Sequence, residues 1–184
     1  IAPCVAEKAL FTGIGRLPER PLSPFKEELQ KQGCKFSAEK LPFVITGQLQ
    51  PGTFQLPGDI SSQYITGLLF ALPMLQEDSR IILSSKLESS GYVDLTLEVL
   101  QDFGIEIKQE KDSYLVPGRQ KYNSPGRLSV EGDWSNAAFF LVAAALGGTI
   151  NCADLKLNSS QGDRRILQEL EKFGAKVTIS ANVL

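Results

Sequence analysis

The sequence predicts an α/β lobe of repeated β-α-β-α-β-β units, with sheets and outer helices around buried central helices. Three observations predict it. The segments "SPFKEELQKQGCKFSAE", "VDLTLEVLQDFGIEIKQE" and "DRRILQELEKFGAKVTIS" each carry apolar residues at helical spacing, reach a glycine and pass into a short alternating stretch. Those glycines, Gly33, Gly104 and Gly174, lie about 70 residues apart, and glycine just past the last turn is a common helix stop. A second kind of element also recurs. "FQLPGDISSQYITGLLFALPML" and "LSVEGDWSNAAFFLVAAALGG" share a strand, Gly-Asp, small polar residues and an apolar helix, and Gly58 and Gly132 return at nearly the same interval. Two kinds of element in the same order mark an internal repeat. Finally, the helices of this second kind are apolar nearly all round, as helices buried on every side are.

In chain order, strand is expected at 8–12, 43–46, 53–56, 80–84, 105–109, 114–116, 127–130, 149–152 and 176–179, where β-formers run in short stretches. Helix is expected at 23–32, 61–75, 92–103, 135–146 and 164–173. Pro18 and Pro21 hold the segment before the first helix out of helical conformation. Gly58-Asp59 ends the strand before the second helix, and Asp133 stands in the same relation to the fourth; both acids read as structural. Arg164 and Arg165 open the fifth against its dipole, a mild and tolerated misfit. Leu68, Leu69, Leu72, Phe139, Leu141 and Val142 are expected to be buried, since their helices lack a polar face.

At 184 residues the chain suffices for one large domain or two small ones, and 42% apolar with 22% charged residues is ordinary for a globular protein. A net charge of −2 and a pI near 5.3 argue against a nucleic-acid surface while leaving room for a local cationic pocket. The longest apolar stretch, "AAFFLVAAALGG", is too short to span a bilayer, and the start does not read as a signal peptide. Cys4, Cys34 and Cys152 are odd in number and lack C-x-x-C spacing, which suits buried thiols in a reducing cytosol. The absence of His removes Ser-His-Asp and Cys-His chemistry and most zinc sites. Neither a Walker A motif nor G-x-G-x-x-G occurs.

Ser61, Ser62 and Gln63 stand before the apolar helix, and two readings apply. One serine caps the helix by accepting from its orphan N–H groups, and the second is incidental. Alternatively, the helix N-terminus with its partial positive charge, enriched by two hydroxyls, holds an anion such as phosphate. Arg16, in "GIGRLPERP", is either a solvated loop residue or a fork for a carboxylate or phosphate. Ser89 and Tyr92, in "LESSGYVDL", precede the third helix, where Ser89 or Ser90 suits a cap.

Taken together, "LFTGIGRLPERPLSP", "LPGDISSQYITGLLFALP", "LESSGYVDLTLEVLQDFGIEI", "YNSPGRLSVEGDWSNAAFFLVAAALGG" and "NSSQGDRRILQELEKFGAKV" resemble the 5-enolpyruvylshikimate-3-phosphate synthase family over nearly the whole chain. The resemblance implies an enolpyruvyl transferase lobe, an inside-out α/β barrel. It implies transfer of enolpyruvyl from phosphoenolpyruvate to the 5-hydroxyl of shikimate 3-phosphate, with loss of phosphate and no metal or organic cofactor. It assigns shikimate 3-phosphate to Ser61, Ser62, Gln63, Ser89 and Tyr92, and phosphoenolpyruvate to Arg16 and Gln63. Arg20 reads as a partner for a nearby acid, ahead of a ligand contact. By analogy 1–131 is part of the first lobe, about two repeat units, and 132–184 is the beginning of the second, the crossover lying near 130–133. The resemblance also implies a cytoplasmic protein, monomeric at full length, with small-molecule partners and neither nucleic acid nor membrane.

Two departures stand out. Ser90-Gly91 occupies a place where the family often carries Lys or Arg and Pro, and Trp134 replaces a small residue. The chain resembles a central piece of the family and carries no catalytic acid or base, so the piece alone is expected to be inactive. A related UDP-N-acetylglucosamine enolpyruvyl transferase, a non-catalytic module for a phosphorylated ligand and an RNA 3′-phosphate cyclase relative are the alternatives. "GDISSQ" and "NSSQGD" favour the shikimate enzyme over the first; acidity and the lack of His weigh against the last.

Overall fold

The computed structural model describes residues 1–88 and 90–179. It divides into two compact units, Ile1–Pro125 and Gly126–Leu184. The first opens with one helical turn, α1 (Ala2–Val5), and β1 (Lys8–Phe11). A 3-10 turn at Leu17–Glu19 leads to α2 (Phe25–Lys31), β2 (Lys35–Phe36) and β3 (Phe43–Thr46). These strands form a three-stranded sheet with β3 in the centre, antiparallel to both neighbours; Lys8 and Lys35 each face Thr46 from opposite sides.

A second sheet follows in the same unit. β4 (Thr53–Leu56), α3 (Ser62–Ala71), a 3-10 turn at Leu72–Met74 and β5 (Ser79–Leu83) make a parallel strand pair joined by a helix. Then come α4 (Ser90–Asp102), β6 (Lys108–Glu110) and β7 (Ser113–Val116), giving the order β4-β5-β7-β6. β7 is antiparallel to β5 and to β6, so β6 runs with β5. Helices α3 and α4 therefore both return from the carboxyl end of one strand to the start of another that runs parallel to it. They run in the same direction, with their N-termini at the same end of the sheet. Thr66 and Thr96 link them, hydroxyl to hydroxyl, at 3.2 Å.

The three repeat glycines all stop helices in one way, at φ of +91°, +75° and +89°. In each case the N–H after the glycine reaches back five residues: Cys34 to Leu29 O at 3.0 Å, Ile105 to Leu100 O at 2.9 Å, Ala175 to Leu170 O at 3.0 Å. This is the Schellman pattern, and it brings a buried leucine against the residue after the glycine. It also explains why strand begins at Lys108 and not at the expected 105. The Ile105 N–H closes the helix, and its side chain is buried with Leu100.

The second unit holds α5 (Trp134–Ala145), a 3-10 turn at Gly162–Arg165 and α6 (Ile166–Lys172). The strands expected at 127–130, 149–152 and 176–179 do not form among the described residues. Strand needs a continuous ladder of partners, and here the Gly132 N–H bond to Asp154 O stands outside any ladder.

A second expectation is corrected in α5. Leu68, Leu69 and Leu72 are buried as expected, and Leu141 is buried too. Phe139, however, is 76% exposed and Val142 39%. Only the face of α5 that carries Trp134 and Leu141 packs, against Leu170, Ile166 and Leu167; no sheet of this unit covers the other face among the described residues. Trp134 is fully buried and donates its indole N–H to Lys156 O at 3.0 Å, so it anchors this small core.

Candidate functional site

The carboxyl ends of β4 and β5 gather most of the residues singled out from the sequence. Ser61 is the N-cap of α3, its hydroxyl accepting the Gln63 N–H at 3.3 Å. The bland reading of the serine pair is thus met by Ser61 alone. Ser62 opens the helix, and its hydroxyl has no partner among the described residues. Gln63 is exposed beside it and borders a cavity of about 400 Å³ walled by Phe11, Phe25, Phe36 and Phe43. Those four rings are apolar, and Lys26, which also lines the cavity, is already paired with Glu39 at 2.5 Å; the helix start is the better place for a phosphate.

Neither α3 nor α4 has an acid in its first turn. No side chain of either first turn therefore offsets the partial positive charge that favours an anion at a helix N-terminus. Tyr92 lies in the first turn of α4, 60% exposed. It sits four residues before Thr96, as Ser62 sits four before Thr66, so the Thr–Thr link places both about one turn away at the same end. Ser89 lies outside the described residues.

Arg16 sits elsewhere on the same unit, in a loop allowed by the left-handed backbone of Gly15 (φ +60°). Its side chain is 93% exposed and meets Glu19 at 3.6 Å, a contact of little energetic weight. The far end of its segment is tied to α3: Tyr64 Oη donates to Pro21 O at 2.7 Å, and the Tyr64 ring stacks on Phe25 at 4.9 Å. Arg20 makes no ion pair among the described residues. Burial pushes the Cys4 and Cys34 thiols above their usual range, which suits structural cysteines.

Asp133 caps α5, accepting from Ser135 N and Asn136 N at 2.8 and 3.2 Å. The second Ser-Ser-Gln, at 159–161, has another fate than the first. Ser159 Oγ and Gln161 Nε2 both donate to Glu131 Oε1 at 2.8 Å, and Gln161 Oε1 accepts the Trp134 N–H at 2.8 Å. "NSSQGD" therefore buttresses the turn before α5. Reading the sequence missed one further residue of the rim, Ser85, whose hydroxyl accepts the Gly58 N–H at 2.9 Å and donates to Asp59 Oδ1 at 2.7 Å. The neighbouring parallel strands bring it there, and no local motif marks it.

Comparison with known proteins bears on what the rim serves. The family model described as EPSP synthase (3-phosphoshikimate 1-carboxyvinyltransferase) matches residues 2–183. The chain belongs to the EPSP synthase family. It is 47% identical over 170 residues to the 3-phosphoshikimate 1-carboxyvinyltransferase of Clostridium perfringens, covering 91% of this chain and 40% of that protein. With that of Clostridium novyi it is 41% identical over 183 residues, covering 97% and 42%. The chain thus spans about two fifths of the length of these relatives. A solved EPSP synthase from Acinetobacter baumannii superposes with a TM-score of 0.74 at 23% identity, over 96% of this chain and 41% of that one. That likeness speaks for the shared α/β fold.

Proposed function

We propose that this chain supplies the shikimate 3-phosphate site of a 3-phosphoshikimate 1-carboxyvinyltransferase. The full-length protein would transfer the enolpyruvyl group of phosphoenolpyruvate to the 5-hydroxyl of shikimate 3-phosphate, releasing inorganic phosphate. The observation that carries the reading is the start of α3: a second serine with an uncommitted hydroxyl, at an acid-free helix N-terminus, in a member of this family. Ser61, Ser62 and Ser89 hold the phosphate, with Tyr92 on α4. Gln63 lies between both substrates, and Arg16 receives phosphoenolpyruvate once it exchanges its exposed contact with Glu19 for a ligand. Residues 1–131 form part of the first lobe, about two repeat units, and the second begins at 132. The partners are these small molecules, and the protein acts as a cytoplasmic monomer.

The test is made in the full-length protein by calorimetric titration. Ser62→Ala should weaken shikimate 3-phosphate by some ten- to hundredfold, the value of a lost hydrogen bond to a charged group at about 1.5–3 kcal/mol. Unphosphorylated shikimate should be affected far less. Equal loss for both ligands, or none, would return the serine pair to a helix cap.

A further inference from the structure

One hydroxyl joins the two loops at the rim. Besides the bonds of Ser85 to Gly58 and Asp59, two backbone bonds cross the same gap: Ser84 N–H to Leu56 O at 3.0 Å and Glu88 N–H to Gly58 O at 3.2 Å. The approach is close. A Cβ on Gly58 would stand 2.7 Å from Ser85 O and 2.8 Å from Leu87 N and Lys86 O, so glycine is required there. The other copy of the repeat uses its Gly-Asp differently. Asp133 caps α5 directly, whereas α3 starts later after its Gly-Asp and takes Ser61 as its cap. That shift releases the Asp59 carboxylate from capping, and it holds Ser85 instead.

We propose that Ser85, held by Asp59, is a positioning residue that locks the loop carrying Ser61–Gln63 to the loop leading into α4, so that one phosphate meets both in fixed geometry. This rests on the shikimate 3-phosphate reading given above. A dianion gripped from two loops gains most when both are already in register, because ordering them at the moment of binding subtracts from affinity. A single hydroxyl that accepts from one loop's backbone and donates to its carboxylate sets that register in two directions. Removing it leaves the Gly58 N–H and the Asp59 carboxylate without their shared partner.

The test compares Ser85→Ala, Ser85→Thr and Asp59→Ala with Ser62→Ala in the full-length protein, titrated with shikimate 3-phosphate and with shikimate. Ser85→Ala and Asp59→Ala should each weaken the phosphorylated ligand roughly tenfold and leave shikimate unchanged. Ser85→Thr, which keeps the hydroxyl, should restore binding. Asp59 is exposed, so its variant carries the test if Ser85→Ala fails to fold. Loss of both ligands alike, or no rescue by threonine, overturns the proposal. Retained phosphate affinity in the Ser85 and Asp59 variants, with loss in Ser62→Ala, overturns the lock and leaves the site standing. An inert Ser62→Ala removes the site reading and the lock with it.

Discussion

Leu69 and Phe139 belong to helices that look alike in sequence, yet one is fully buried and the other 76% exposed. Leu69→Ala should therefore cost roughly 2–5 kcal/mol, the transfer term plus a cavity. Phe139→Ala in this chain should stay within about 0.5 kcal/mol. Denaturant midpoints of the two variants check this, and equal shifts would contradict it. Tyr122 offers a pH test. Its phenol donates to Phe70 O at 2.7 Å, and burial first, with Cys4 second, pushes its pKa up to about 12. The folded state thus keeps a proton that the unfolded chain has released above pH about 10. Stability tied to Tyr122 is complete below that pH and is lost as pH rises towards 12. The stability gap between the parent and Tyr122→Phe should narrow from pH 9 to pH 11 in chemical denaturation; a constant gap would refute the assignment.

At the scale of elements, caps decide what each helix start is free to do. Asp133 accepts two backbone N–H bonds from α5, so Asp133→Ala should cost about 0.5–2 kcal/mol. Asp59→Ala should cost α3 little, since Ser61 caps it. Thermal unfolding of the two variants separates them, and a larger loss at Asp59 would contradict the division of roles. The two Ser-Ser-Gln tripeptides make the same point. At 61–63 the second serine opens a ten-residue helix with its hydroxyl uncommitted, while at 159–161 serine and glutamine are spent on Glu131 and Trp134. Sequence pattern found both tripeptides and had no means to tell them apart, because their difference lies in which groups the fold brings within hydrogen-bond reach.

For the whole molecule, the chain is about two fifths of the length of its relatives. Proton transfer requires an acid or base within reach of the reacting atom, and the Asp59 carboxylate of the rim is already held by Ser85. The 184-residue chain alone should release no phosphate from phosphoenolpyruvate and shikimate 3-phosphate. Phosphate release above that of a Ser61→Ala control would show that more of the chemistry resides here than the rim displays.

Local physics was enough for much of this protein. The glycine stops, the Gly-Asp turns and, apart from α1 and the start of β6, the helices and strands of the first unit follow from propensity, period and capping, which act over a few residues. The position of Ser61–Gln63 at a helix start was legible for the same reason. The tertiary structure decided the rest. Which face of α5 is covered, whether 127–130, 149–152 and 176–179 find ladder partners, and that Ser85 meets Asp59 across two parallel strands all depend on contacts between residues far apart in sequence. Such contacts leave no periodic trace in the chain, since burial and strand pairing are properties of the neighbour as much as of the residue.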